Sequence, residues 1–302
     1  LVGIPFPGLP KLLLSATHLT HLELFRIPHS GYISPEAMVT CLSALSGLIR
    51  LSLRFQSPQS RPDWESRSLP LPKRSILPAL YAFHFKGVNE YLEDLVTRID
   101  TPRLSNMEIY FFNQIDFDFL RLAQFINCTP RLNNAIDKAH VQFDYGTASF
   151  ATSNLEYADL RISISCEEPD WQLSSMEQVC NSLYPLPMVE DLYIRHQDWE
   201  PVWKNDGIEN TLWLQLLLPF TAVVNLYLSK ELALGIAAAL QELVGARITE
   251  MLPSLRNIFV EGLEPSGPLQ ENIGQFVAVR KLSGHPVDVS DWDGLVGNEE
   301  ED

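Results

Sequence analysis

The chain has 302 residues, 46% of them hydrophobic, which is ample for a large core. Lys and Arg number 22 against 38 Asp and Glu, a formal net charge of -16; a surface of that sign repels a phosphate backbone and argues against a nucleic-acid-binding role. Cys41, Cys128, Cys166 and Cys180 are widely spaced and no run of 18 apolar residues occurs, which argues against a disulfide framework, a zinc site and a transmembrane helix, and points to a reducing compartment, cytoplasmic or nuclear.

In chain order, the start lacks Met, and Leu1-Val-Gly-Ile4-Pro5 repeats Leu24-Phe-Arg-Ile27-Pro28. The chain is therefore expected to begin on the last strand residue of an earlier unit, with a portion missing upstream. Leu19, Leu22 and Leu24 then set a frame of apolar-x-x-apolar-x-apolar. Ser34-Pro35-Glu36 combines an N-cap, a first-turn proline and an acid that complements the helix dipole, and predicts a helix over Ala37–Leu45. The frame returns at Leu48/Leu51/Leu53. Residues 56–75 hold four prolines and five serines, the composition of an exposed insertion.

Leu80/Phe83/Phe85 follows, and Asn89 is expected to cap a helix whose Leu92, Leu95, Val96 and Ile99 fall at i, i+3, i+4, i+7. After Leu104/Met107/Ile109, a helix over Phe119–Ile126 is expected to start at Asp116 and Asp118. Val141/Phe143 and Leu160/Ile162/Ile164 are the best strands for two degenerate units. Ser174-Ser-Met-Glu177 has the form of a capping box opening a short helix that ends near Leu183. Val189/Leu192/Ile194 and Val223/Leu226/Leu228 continue the frame, and Leu232–Val244 is helical up to Gly245. Leu255/Ile258/Val260 is the last copy, and Gly267-Pro268 opens a helix to about Lys281. Residues 296–302 form an acidic tail.

Four copies of the frame, those ending at Phe85, Ile109, Ile194 and Val260, have a proline two residues before the first apolar position. Residues two apart share one face of a strand, and a proline ahead of a short strand keeps its predecessor extended without removing a ladder hydrogen bond. Successive copies start 29, 32 and 24 residues apart from Leu19 to Leu104, and 34 and 32 apart from Val189 to Leu255. Leucine-rich repeats run about 20–29 residues, so these longer units leave room for a helix between strands. The expected fold is α/β: one leucine-rich-repeat solenoid over residues 1–302, a horseshoe of irregular repeats with a parallel β-sheet on its concave face. Ile27, Gln56, Val88, Phe112, Gln197, Glu231 and Leu263 stand where regular repeats place asparagine, so no asparagine ladder is expected there.

Outward positions of the strands supply the candidate site. The fifth column reads Glu23, Ser52, His84, Glu108, Tyr193, Tyr227 and Phe259; the seventh reads Phe25, Arg54, Lys86, Tyr110, Arg195, Ser229 and Glu261; the third ends in Asp191, Asn225 and Asn257. Arg50, Arg54, His84 and Lys86, next to Tyr110, form a basic zone suited to an acidic or phosphorylated protein segment. Tyr193, Tyr227 and Phe259 form an aromatic row, and Tyr and Arg are enriched in protein-binding hot spots. The competing reading is packing, or neutralisation of the bases by Glu23, Glu108 or acids of the loops. His18 and His21 have metal-ligand spacing without an acidic or cysteine partner. The pairs Glu93-Asp94 and Glu167-Glu168 are expected to be solvated, and no nucleophile elbow or phosphate loop occurs. No catalytic residue, metal or cofactor is expected.

Leu13–Leu19 (Leu-Leu-Ser-Ala-Thr-His-Leu), His29–Met38, Tyr91–Leu95 and Asp170–Ser175 resemble the leucine-rich-repeat region of F-box proteins, particularly those of mushroom-forming fungi. In that family an N-terminal F-box docks on a ubiquitin-ligase adaptor while the repeats select the protein to be ubiquitinated. The resemblance implies substrate recognition, with a protein target as partner and the adaptor reached only through an F-box that this sequence lacks. The alternative is a repeat scaffold with no ligase link.

Overall fold

The structure, a computed structural model, describes residues 2, 8–60, 74–112, 119–132, 137–152, 159–183, 186–197, 208–243, 245, 247–264 and 267–292. Most of the expected insertion at 56–75, the acids Asp116 and Asp118, and the tail at 296–302 lie outside these residues. The chain packs as two compact units: unit 1 is Leu1–Ala135, Leu155–Cys166 and Ser182–Pro185, and unit 2 is Ile136–Asn154, Glu167–Asn181 and Leu186–Asp302.

The chain starts with α1 (Leu9–Ser15), β1 (His21–Ile27), α2 (Pro35–Ser43) and β2 (Arg50–Phe55). Next come β3 (Ser75–Ile76), β4 (Ala82–Gly87), α3 (Asn89–Val96), β5 (Ile99–Asp100), β6 (Asn106–Phe111) and α4 (Leu120–Cys128). It enters unit 2 for β7 (Lys138–Asp144) and β8 (Thr147–Thr152) and returns to unit 1 for β9 (Leu160–Ser165). Then follow α5 (Pro169–Ser182), β10 (Asp191–His196), α6 (Asn210–Leu217), β11 (Asn225–Leu228) and α7 (Lys230–Gln241). The last elements are α8 (Arg247–Glu250), β12 (Asn257–Glu261), α9 (Pro268–Leu282) and β13 (Asp288–Trp292).

The class is mixed α/β with a mostly parallel sheet. In unit 1, β1, β2, β4, β6 and β9 pair side by side, all parallel, and β3 and β5 form a separate parallel pair. In unit 2 the order is β8, β7, β10, β11, β12, β13, parallel except for β7–β8. The strand expected at Val141/Phe143 is therefore one arm of an antiparallel hairpin turning at Tyr145-Gly146, not a repeat with its own helix. Val2 makes an isolated parallel bridge to Phe25.

The frame sets the register. Leu22, Leu51, Phe83, Met107 and Leu160 align across unit 1, and Leu192, Leu226 and Ile258 across unit 2. The second and third frame residues of all seven copies are buried, as are the first residues Leu48, Leu80, Leu104, Val189, Val223 and Leu255; Leu19 is half-buried. A one-residue slip of β12 would turn Ile258 and Val260 outward and Asn257 inward. At about 1.5–3 kcal/mol for each buried Leu or Ile, that cost fixes the register. In β1 the pairing shifts after Leu24, where Arg26 takes φ 51.

Within each unit helices pack on the strands: α3 on β4 in unit 1, and α7 on β10 and β12 in unit 2. Ser34 accepts the Ala37 amide at 3.3 Å and caps α2 as expected. Gly245 has φ +61, but α7 ends earlier, at Gln241. Three other expectations are corrected. Asn89 is not the cap of α3; Val88 holds that place and Asn89, inside the helix, is buried. The Ser174–Glu177 pattern lies within α5, which already starts at Pro169 with Asp170 in its first turn, so Ser174 is mid-helix and half-buried rather than the cap of a new helix.

Glu93 and Asp94 are not a solvated pair either. Glu93 is only 5% exposed and accepts the amides of Arg121 at 3.1 Å and Leu122 at 2.7 Å. A residue of α3 thus caps α4, because the open amides and positive dipole end of α4 face it. Asp94 takes Arg98 Nε at 3.1 Å and Nη2 at 3.0 Å, and Arg98 is itself buried.

Candidate functional site

Alternation along each strand leaves a column of side chains on the outward face of each unit. In unit 1 the register sets Glu23, Ser52, His84, Glu108 and Arg161 side by side, with Arg54, Lys86, Tyr110 and Ser163 two residues further on. Three of the four expected bases converge. Arg54, His84 and Lys86, with Phe85, Glu108 and Tyr110, line a cavity of about 140 Å³. Arg50 is exposed at the start of β2, paired with His21 and Ala82, and does not line it.

Glu108 is the counter-charge inside the cluster. Its Oε2 lies 2.7 Å from His84 Nδ1 and 3.8 Å from Arg54 Nη2. The His84 hydrogen bond, opposed by partial burial and helped by the charges of His84, Arg54 and Arg161, holds the Glu108 carboxyl below its ordinary range. Lys86 is held differently: its Nζ stands 4.3 Å from the Tyr110 ring centroid and 5.4 Å from that of Phe112. Arg54 lies 5.1 Å from the Phe25 ring. Cation–π contacts attract the cations without cancelling their charge, so Lys86 presents positive charge that Glu108 does not take up. Ser52, in register with His84, is buried, against its expected place in an exposed column.

In unit 2 the aromatic row is real and one ring longer. His140, Tyr193, Tyr227 and Phe259 stand in register on β7, β10, β11 and β12. Their ring centroids are 4.5, 4.2 and 4.6 Å apart with interplanar angles of 12°, 10° and 11°. Rings stacked along the sheet use their flat faces on each other, so a ligand meets their edges. Tyr193 is only 5% exposed and belongs as much to the core as to the surface. Burial, and then the neighbouring Tyr227 and Asp191, push the Tyr193 phenol well above its ordinary value; burial and Asp191 raise that of Tyr227.

Beside the rings runs a polar ladder. Asn225 donates to Asp191 at 2.7 Å and Asn257 donates to Asn225 at 2.7 Å. It occupies the third, outward column of the strands, a different place from the consensus asparagine position that this sequence fills with other residues. On the other side Arg195 stands 5.2 Å from the Tyr193 ring and 4.7 Å from the ring of Trp292. Trp292 packs edge-on to Tyr227, centroids 5.4 Å apart.

Two members were missed in the sequence. His140 sits on β7, where the small Ala139 fills the place of Leu192 and hides the frame. Trp292 sits on β13, where Asp291 aligns with Val260 and breaks the apolar alternation. His21 is bonded to Thr20 at 3.0 Å, and among the described residues no group of His, Cys, Asp and Glu is arranged to hold a metal ion. A larger depression of about 660 Å³ in unit 2 is edged by Glu190, Arg256, His285 and Asp288, all exposed and of mixed sign. No helix among the described residues is long and apolar enough to cross a membrane. Compared with family models and with curated proteins, the chain matches none.

Proposed function

We propose that this chain is a protein-recognition module built of leucine-rich-repeat units, the substrate-binding region of an F-box-type ubiquitin-ligase receptor. The observation that carries the reading is the shared frame. Strands with the same apolar pattern pair in parallel and in register within each unit, so their outward side chains line up in columns. Stacked repeats of this kind make a broad, regular surface rather than a single deep pocket. The reading of the unit 1 face follows from its charge. Arg54 and Lys86 are basic groups in a chain of net charge -16, and the small cavity they line matches a carboxylate or phosphate group of an acidic or phosphorylated target.

The test is capture of targets by the full-length gene product from an extract of its own cells. Arg54→Ala with Lys86→Ala should reduce recovery of the specific target at least severalfold with the fold unchanged by circular dichroism, and wild-type capture should weaken with salt. Unchanged recovery and indifference to ionic strength would remove the basic zone from the reading. Co-purification of a ligase adaptor with the full-length product supports the receptor assignment; capture of a target without an adaptor favours a scaffold with no ligase link.

A further inference from the structure

Trp292 is held where a ligand of the aromatic face would sit. It belongs to β13, a strand with no buried residue, yet its indole reaches across to Tyr227 and Tyr193, with centroids 5.4 and 6.2 Å away. The flat faces of those tyrosines are taken by their neighbours in the stack, so the indole rests on their outward edges. Tilted and edge-to-face contacts are the arrangement that ring quadrupoles favour.

Next to the indole, Arg195 is incompletely used. Its Nε and Nη2 are buried, and neither finds a hydrogen-bond partner among the described residues. These two atoms form one edge of the guanidinium, the pair of donors that grips a carboxylate through two parallel hydrogen bonds. Burying such donors unpaired is unfavourable. Asp291, beside the indole, accepts the Leu263 amide at 2.8 Å, and Glu261, in register with Trp292, bears on Arg195 through its charge but takes neither of these two donors. Aromatic edges and an unused two-donor fork therefore lie side by side, covered by one ring from a weakly buried strand.

We propose that the Tyr193–Tyr227 edges and Arg195 form a receptor for a protein segment carrying an aromatic ring next to a carboxylate, and that Trp292 is its internal stand-in. The incoming ring takes the place of the indole, and the incoming carboxylate takes Nε and Nη2 of Arg195. The inference rests on the protein-recognition reading and names a partner chemistry for the unit 2 face.

The probe is a fluorophore-labelled, end-capped hexapeptide Asp-Val-Ser-Asp-Trp-Asp, copied from residues 288–293, titrated by fluorescence anisotropy against the full chain. A cover lowers apparent affinity by the fraction of molecules that are open, so Trp292→Ala should bind the probe about tenfold more tightly than wild type. Adding Arg195→Ala should abolish the gain, as should a probe with Trp replaced by Ala or with its Asp residues replaced by Asn. Equal binding by wild type and Trp292→Ala overturns the proposal, and so does tight binding of the probe that lacks Trp. If Trp292→Ala loses its cooperative melting transition, Trp292→Leu, which keeps apolar bulk without a ring, carries the same comparison. Failure of the peptide with target capture intact overturns this inference alone; loss of both sinks the recognition reading itself.

Discussion

Arg280 offers the sharpest test of the packing in unit 2. It lies near the end of α9 and is 0% exposed, and its partners are carbonyl oxygens rather than carboxylates. Nη1 donates to Ile248 at 2.9 Å, Met251 at 3.1 Å and Leu252 at 3.3 Å, and Nη2 donates to Leu255 at 3.4 Å. Those carbonyls end α8 and form the turn into β12, where the Pro253-Ser-Leu255 motif begins. One guanidinium thus ties α9 to the start of a strand that carries the outward face. Burial lowers the pKa of Arg280, yet so strong a base stays charged, and the dipoles of the turn stabilise it. Replacing it by Ala removes charge-assisted bonds and leaves several buried carbonyls unpaired. The expected loss is roughly 3–5 kcal/mol, or about 6–20 °C in Tm for a unit of this size. Arg280→Lys should recover only part of this, since an ammonium cannot spread its donors over four carbonyls. Thermal melts followed by circular dichroism and Trp fluorescence give the size of the effect, and hydrogen exchange at the β12 amides gives its place. A Tm within about 2 °C of wild type for Arg280→Ala, or full stability for Arg280→Lys, would refute the reasoning.

Three further outcomes are expected. Glu93→Gln keeps one acceptor for the start of α4 and should cost about 1 kcal/mol in urea unfolding, while Glu93→Ala should cost about 2 kcal/mol; equal stability of Ala and wild type would show that the cap is idle. Glu108 should titrate below its ordinary value of 4.5 in carboxyl NMR and move back up in His84→Ala. Because its folded pKa is depressed, its contribution to stability is complete above the unfolded pKa and is lost as pH falls through the folded one; an unmoved midpoint in His84→Ala excludes the hydrogen bond as the cause. The phenols of Tyr91 and Tyr193 are raised above 10.0 mainly by burial, so their stabilising effect is complete below pH 10 and is lost as pH rises beyond it. Absorbance at 295 nm should show both ionising only with alkaline unfolding, and early titration of Tyr193 in the folded chain would contradict its place in the stack.

The repeated frame by itself determined the strands and their register. Residues two apart share a face, and only the pairing seen in β10, β11 and β12 buries Leu192, Leu226 and Ile258 together, so the columns Arg54–Lys86–Tyr110 and Tyr193–Tyr227–Phe259 followed from local spacing. Local signals also set the Ser34 cap and the start of α9 at Pro268. Contacts between distant residues were decided only in the tertiary structure. Glu93 caps a helix that begins 27 positions later, because two helices bring an acid and open amides together. Arg280 has the sequence context of an exposed helix end, yet it is buried because a turn 25–32 residues earlier presents four carbonyls to it. Glu108 turns part of a basic cluster into an internal ion pair, which depends on which strands are neighbours. Trp292 lies over Tyr227 although an inward-register Asp291 disguises its strand. Spacing along one strand is a local property of the backbone and can be read from a sequence; the partner of a long polar or aromatic side chain depends on which segments the fold brings side by side.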